Sequence, residues 1–381
     1  MKLLRSALAV AAATSLALGA TPSIAQAAQV SAAEAADQAP AVEVKNWDAN
    51  EAPKAISTGE TAKWVHEVDH EKVWAFWVHS PSMGRDIPVA VIPARDAQGQ
   101  RVENAPTIYL LNGAGGAEQN NDWLTYAETQ KFYADKGVNV VIPMEGAFSY
   151  YTDWLDTPDA AYFRGPQKWE TFLTKELPGP IEQRLSADSR RAVVGFSMSG
   201  TSALVLPTKV PGFYDAAASF SGCAATSSPA GYNFARLTVN RGAGAQANYQ
   251  TVTPEQMWGP MGGQYNRAND ALVNAEKLRG TELYVSTATG LASENDMVST
   301  LVGKGASVPE AYAGAMVLQV EGGVIEAAIN TCNHDLRAKL NSLNIPAHYE
   351  FRNVGTHSWP DWRKDLENSW FKTIKPAFGG E

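Results

Sequence analysis

Val193-Val194-Gly195-Phe196-Ser197-Met198-Ser199-Gly200 is an apolar run that reaches a serine flanked by small residues and continues into Thr201-Ser202-Ala203-Leu204. It reads as a buried strand, a sharp turn and a helix, the setting a nucleophile elbow requires. Small residues two places either side of Ser197 let the chain turn tightly and push the hydroxyl into a cleft. The fifth position of the motif is usually Gly and here is Ser199, which is still small.

Short apolar runs recur around the elbow. Thr107–Leu111, Val138–Met144, Arg191–Gly195, Ala216–Gly222, Glu282–Thr287 and Ala347–Phe351 read as strands, with helical stretches such as Trp169–Gln183 between them. Buried strands alternating with helices predict an α/β class with a mostly parallel central sheet covered on both faces. The elbow makes this an α/β-hydrolase fold. Upstream, Lys63–Val68, Val73–Val78 and Asp86–Ile92 also read as strands. Residues 224–280 exceed what one connecting helix needs, and are expected to form an inserted cap or lid.

Lys2 and Arg5, the apolar run Ala7–Ala20 and Ala25-Gln26-Ala27 have the layout of a secretory signal peptide, 1–27. Residues 28–60, rich in Ala, Gln, Asp and Glu, read as a lead-in or tether, and 61–381 as the catalytic domain. The localisation expected is secreted or cell envelope. With 31 Lys and Arg against 40 Asp and Glu, the formal net charge is −9, which argues against nucleic-acid binding. Two cysteines are too few to replace a core. His66 and His70 stand four apart, but no third ligand is near, and no metal is expected. The Gly-rich loop Asn112–Gly116 matches no phosphate-binding pattern, and no cofactor is expected.

A serine nucleophile needs a base. Of the six histidines, His357 follows the last strand, in Gly355-Thr356-His357-Ser358-Trp359-Pro360, where this fold keeps its base. His348 lies within that strand and His334 precedes it in a helix. Spacing alone ranks Glu294 and Asp296, just after Glu282–Thr287, ahead of Glu326 as the acid. The oxyanion hole is assigned to the amides of Met198 and Ala114.

Further stretches carry a resemblance. Lys168-Trp169-Glu170-Thr171-Phe172-Leu173-Thr174-Lys175-Glu176-Leu177-Pro178, Met257-Trp258-Gly259-Pro260 and Gly355-Thr356-His357-Ser358-Trp359, with the elbow, resemble the antigen 85 mycolyltransferases over about residues 70–372. These are secreted α/β-hydrolase enzymes of bacteria with a mycolic-acid envelope. The resemblance implies mycolyl transfer from trehalose mycolates to trehalose monomycolate or cell-wall arabinan; the sequence leaves a protein hydroxyl open as an alternative acceptor. It matches Ser197 and His357 to the family's nucleophile and base. The family's acid, on a helix about thirty residues before the histidine, selects Glu326 over Glu294 and Asp296. Trp359 matches an aromatic that lines the sugar site. Asn112, also expected at the sugar, stands where the family has Asp, and Gly115 where it has Arg. Family topology would also bring Cys223 and Cys332 together as a disulfide. The rival functions are a secreted carboxylesterase and a non-catalytic envelope protein or adhesin.

Overall fold

The computed structural model describes residues 43–46, 51–244 and 251–380. The expected signal peptide and residues 28–42 lie outside the described residues. Nine strands form a single sheet among the described residues: β1 Val44–Asn46, β2 Trp74–Ser80, β3 Arg85–Ile92, β4 Ala105–Leu111, β5 Asn139–Pro143, β6 Ala187–Phe196, β7 Ala216–Phe220, β8 Glu282–Thr287 and β9 His348–Phe351, in the order β1-β2-β3-β5-β4-β6-β7-β8-β9. The pairs β1–β2, β2–β3 and β3–β5 are antiparallel. The pairs β5–β4, β4–β6, β6–β7, β7–β8 and β8–β9 are parallel. This is the expected α/β-hydrolase sheet.

Strand parity divides the core in two. Tyr109, Leu111, Val193, Ala217, Leu283 and Val285 face one layer. Ile108, Leu110, Ala192, Val194, Phe196, Ala218, Phe220 and Tyr284 face the other. Every residue of β4, β5 and β7 is buried, as continuous apolar strands require when both faces are covered.

Three expectations are corrected. Lys63–Val68 is not a strand: Lys63–Glu67 is a short helix. Trp64, Val65 and Val68 are buried while His66 and Glu67 are exposed, a helical rather than an alternating pattern. Asn120 accepts the Lys63 amide at 2.8 Å. The packed domain also begins before residue 61. Val44–Asn46 extends the sheet on β2, Ala55 is fully buried, and the Ala62 amide donates to the Pro53 carbonyl. Trp169–Gln183 is helical but interrupted, with a wide π turn over Phe172–Glu176 before the helix Pro178–Leu185. Pro178 has no N–H to give, and the Leu177 amide reaches five residues back to the Phe172 carbonyl.

Between β7 and β8 lie the helices Pro229–Arg241, Pro254–Trp258 and Gln264–Ala268. On these helices Tyr232, Val239, Met257 and Trp258 are buried, the last three of them in the core. A second long connection, between β8 and β9, carries the helices Val298–Gly303, Val308–Met316 and Gly323–Ser342.

Candidate active site

The parallel strands end side by side, and the site is built on their carboxyl edge. β6 stops at Phe196, and Ser197 adopts φ 57°, ψ −123° before the helix Met198–Lys209 begins. A non-glycine residue in this region is strained, and the neighbours must hold it there. A Cβ on Gly195 would lie 2.3 Å from the Ser199 carbonyl oxygen, so only Gly permits the turn. Ser199 does more than fit. Its Oγ donates to the Leu111 carbonyl at 2.9 Å and accepts from the Phe196 amide at 3.0 Å. The unusual serine thus ties the turn to the end of β4.

His357 Nε2 stands 2.7 Å from Ser197 Oγ, and its Nδ1 stands 2.8 Å from Glu326 Oε2. Glu326 is 1% exposed. Burying a carboxylate is costly unless its oxygens are satisfied. Its Oε1 accepts from Ser221 Oγ at 2.8 Å, Thr287 Oγ1 at 3.1 Å and the Ala288 amide at 2.7 Å. Ser221 in turn accepts from Trp362 Nε1 at 3.2 Å, and the Trp362 ring meets the His357 ring edge-on at 4.9 Å. β7, β8 and the helix after His357 therefore all hold this carboxylate and imidazole.

The two other acids lie elsewhere. Glu294 is exposed. Asp296 is fully buried, but its Oδ1 accepts from Thr356 Oγ1 at 2.9 Å and its Oδ2 from Ser293. It anchors the histidine loop rather than touching the imidazole. That loop also needs Gly355, at φ 136°, where a Cβ would sit 2.3 Å from Asp361 Oδ2. Burial pushes the Asp361 carboxyl up to about 6. His334 pairs with Arg337 and His348 is exposed on the sheet edge. His70 Nε2 lies 2.8 Å from the Val65 carbonyl. Among the described residues no group of three His, Cys, Asp or Glu could hold a metal ion.

Met198 opens the elbow helix, where an amide has no intrahelical acceptor. Ala114 lies in the loop after β4, and its carbonyl accepts from the Phe148 amide at 2.6 Å. Glu118 braces that neighbourhood. Its Oε2 accepts from the Gly146 and Ala147 amides at 3.0 and 2.8 Å, and Arg164 pairs with its other oxygen at 3.2 Å. Burial first, and the Glu145 charge second, raise its carboxyl to about 7. Between the ordinary glutamate range and about 7 the native chain then keeps a proton that the unfolded chain releases, so this group's contribution to stability falls as pH rises through that window. Glu118→Gln cannot titrate. The difference in melting temperature, variant minus wild type, is expected to become more positive from pH 5 to pH 8; a difference independent of pH would refute the assignment.

Asn112 does not face the cleft. It is 1% exposed; its Nδ2 donates to the Pro143 carbonyl at 3.1 Å and its Oδ1 accepts from the Trp123 amide at 3.1 Å. Those bonds occupy it inside the fold, which corrects its expected contact with sugar. At Gly115, a Cβ would lie 2.1 Å from Gln119 Oε1, so Gln119 fills that space. Trp359 is half-buried on an aromatic cluster. It stacks on Tyr126 at 5.5 Å and 14°, and its Nε1 donates to Asn121 Oδ1 at 2.7 Å.

Cys223 and Cys332 form a disulfide, with a Cα–Cα distance of 5.2 Å and a sequence separation of 109. It ties the helix carrying Glu326 to the chain just after β7. Replacing both cysteines with alanine is expected to cost about 2–5 kcal/mol, given the long loop closed. Urea unfolding checks this, and an unchanged midpoint would refute it.

The family model named Esterase matches residues 80–371. Diacylglycerol acyltransferase/mycolyltransferase Ag85A of Mycobacterium tuberculosis is 30% identical over 306 residues, 79% of this chain and 80% of that protein. The chain belongs to the antigen 85 family. Ag85C of Mycobacterium leprae is 29% identical over 76% of this chain and 77% of its own. Among solved structures, Mycobacterium tuberculosis MPT51 superposes with a TM-score of 0.57 at 24% identity, covering 80% of this chain and 97% of its own. The Staphylococcus aureus fluorophosphonate-binding serine hydrolase FphF does so at 0.54 and 14%, covering 80% and 98%; both share the fold. Membership in the antigen 85 family makes the protein an acyl-transferring or hydrolytic enzyme.

Sequence reasoning missed Ser221, Thr287 and the Ala288 amide on Glu326, and the Thr356–Asp296 anchor. Ser221 and Thr287 could have been noticed as hydroxyl residues at the carboxyl ends of adjacent strands, where this fold collects its site.

Proposed function

We propose that the protein is a secreted acyltransferase that moves a mycolyl group from trehalose monomycolate, through an acyl-Ser197, to a sugar hydroxyl of trehalose monomycolate or cell-wall arabinan. The observation that carries this reading is the continuous chain Ser197–His357–Glu326, at 2.7 and 2.8 Å, in a member of the antigen 85 family. His357 Nε2 accepts the Ser197 proton as Oγ attacks the ester carbonyl, and Glu326 stabilises the imidazolium through Nδ1. The amides of Ala114 and Met198 receive the oxyanion. His357 then gives its proton to the departing trehalose oxygen. In the second half a sugar hydroxyl loses its proton to His357 and attacks the acyl-serine, and His357 returns that proton to Ser197 Oγ as it departs, which restores the serine and the neutral imidazole. The steps use only these side chains and amides.

Trp359 and Tyr126 offer a stacked aromatic platform for a sugar ring, with the Asn121 amide bonded to Trp359 beside it. Trehalose mycolates, cell-wall glycan and a protein hydroxyl are the partners this site would take at the mycolate envelope. The exchange of the family's Arg for Gly115 favours a second reading, a secreted carboxylesterase with water as acceptor, because the guanidinium that would hold the sugar is gone. A fluorophosphonate probe tests the shared first half. It should add to Ser197 and to no other residue, whereas an unlabelled folded protein would point to a non-catalytic envelope role.

A further inference from the structure

The loop that follows β5 is strained. Phe148, Tyr150 and Tyr151 have φ of 60°, 55° and 47°, and all three are buried. Bulky residues rarely take a positive φ, and a run of them persists only where the surroundings impose it. Here the surroundings are specific. Phe148 packs edge-on against Tyr162 at 5.1 Å, Tyr150 against Trp258 at 5.2 Å and Tyr151 against Trp169 at 5.5 Å. Ser202 Oγ donates to the Tyr150 carbonyl at 2.6 Å, and Trp154 Nε1 to the Ser149 carbonyl at 2.9 Å. The start of the loop is held by a carboxylate, since Glu118 Oε2 accepts both the Gly146 and the Ala147 amides.

This loop touches both residues whose amides are proposed for the oxyanion. The Phe148 amide donates to the Ala114 carbonyl at 2.6 Å, and the Tyr150 amide donates to Met198 Sδ at 3.3 Å. Ala114 follows β4 and Met198 follows β6, so the loop after β5 bridges two separate segments. Oxyanion donors act by being fixed in place before charge develops. Two anchors on one strained loop fix the two donors relative to each other. Glu118 closes the circuit: it stands four residues beyond Ala114 on the same segment and grips the loop that grips Ala114. It is 4% exposed, so water does not compete for its oxygens.

We propose that Glu118 is a positioning residue for the oxyanion hole: by accepting the Gly146 and Ala147 amides it keeps the strained loop against Ala114 and Met198, and so sets the spacing of their two amides. The inference rests on the acyl-serine reading, and its test separates the two. The full chain is titrated with n-octylboronic acid, and kcat and KM are measured with p-nitrophenyl butyrate. Ser197 Oγ adds to boron while His357 takes its proton, and the tetrahedral anion puts a boron-bound oxygen where the oxyanion forms. The boronate inhibition constant therefore reports the hole, and a smaller fraction of folded molecules does not move it. Glu118→Asp keeps the charge but is one methylene short of both amides. It should lower kcat and boronate affinity together, by about tenfold to a hundredfold, with KM within about twofold. Glu118→Gln loses the charge but keeps an oxygen at the same reach, and should bring both back to within about threefold of wild type. Ser202→Ala frees the far side of the loop. It should weaken the boronate by a smaller factor, and it decides the matter if Glu118→Asp does not fold. Unchanged boronate affinity in Glu118→Asp, or in Ser202→Ala where that variant decides, would overturn the proposal. So would a Glu118→Gln chain as impaired as Glu118→Asp, since charge rather than reach would then be at work. A wild-type chain that does not bind the boronate would overturn the acyl-serine reading itself, and this proposal with it.

Discussion

Ser197→Ala is expected to lower ester turnover by a factor on the order of 10⁶ while the protein remains folded. The proposed route runs entirely through a covalent acyl-serine, and alanine offers no atom to carry the acyl group. His357 would still stand beside the cleft, but with no hydroxyl to activate. The cost to the fold should be small, because Ser197 is only partly buried and the turn is held by neighbours. Gly195 admits the Ser199 carbonyl, and Ser199 Oγ bonds Leu111 and Phe196. Circular dichroism and a melting curve like those of the wild type, together with the loss of turnover, would meet the expectation. Turnover within tenfold of wild type would place the nucleophile elsewhere.

Glu326→Gln is expected to cost about 10⁴-fold in kcat with little change in KM. The hydrogen bonds around the carboxylate say why. Oε1 accepts from Ser221, Thr287 and Ala288, so a glutamine would keep its carbonyl oxygen there and turn its NH₂ towards His357 Nδ1. That nitrogen would then have to accept, which puts the ring proton on Nε2, facing Ser197. Such a tautomer cannot take the serine proton, and the negative charge that steadies the imidazolium is gone as well. Asp296→Asn should cost far less, since Asp296 acts through Thr356 on the histidine loop. Glu294→Gln should be silent because Glu294 is exposed. A nearly active Glu326→Gln beside a crippled Asp296→Asn would reverse the assignment.

The parts of this architecture legible in the sequence were those written in local pattern. β8 was read at its observed bounds, Glu282–Thr287, and the elbow was read from a strand, a turn and a helix in consecutive residues. Local pattern failed where a neighbour far along the chain decides the outcome. Lys63–Val68 has strand-like residues, yet Asn120, 57 positions away, caps a helix there. The family resemblance, too, missed such a neighbour: it put Asn112 at the sugar, yet Trp123 and Pro143 claim its amide inside the fold. Spacing pointed to Glu294 and Asp296 because they directly follow β8. It gave no means of knowing that the helix Gly323–Ser342 folds back onto the end of that strand. The family resemblance supplied that return, and the structure brings Glu326 against His357.

Incubation of the purified protein with trehalose monomycolate tests the central claim most directly, with dimycolate, free trehalose and free mycolic acid measured together. Transfer beats hydrolysis only where the acceptor is held and water is excluded. The account predicts dimycolate and trehalose in equal amounts, little free acid, and no product from Ser197→Ala. Free mycolic acid as the main product, unchanged by added sugar acceptor, would contradict it and make the protein an esterase.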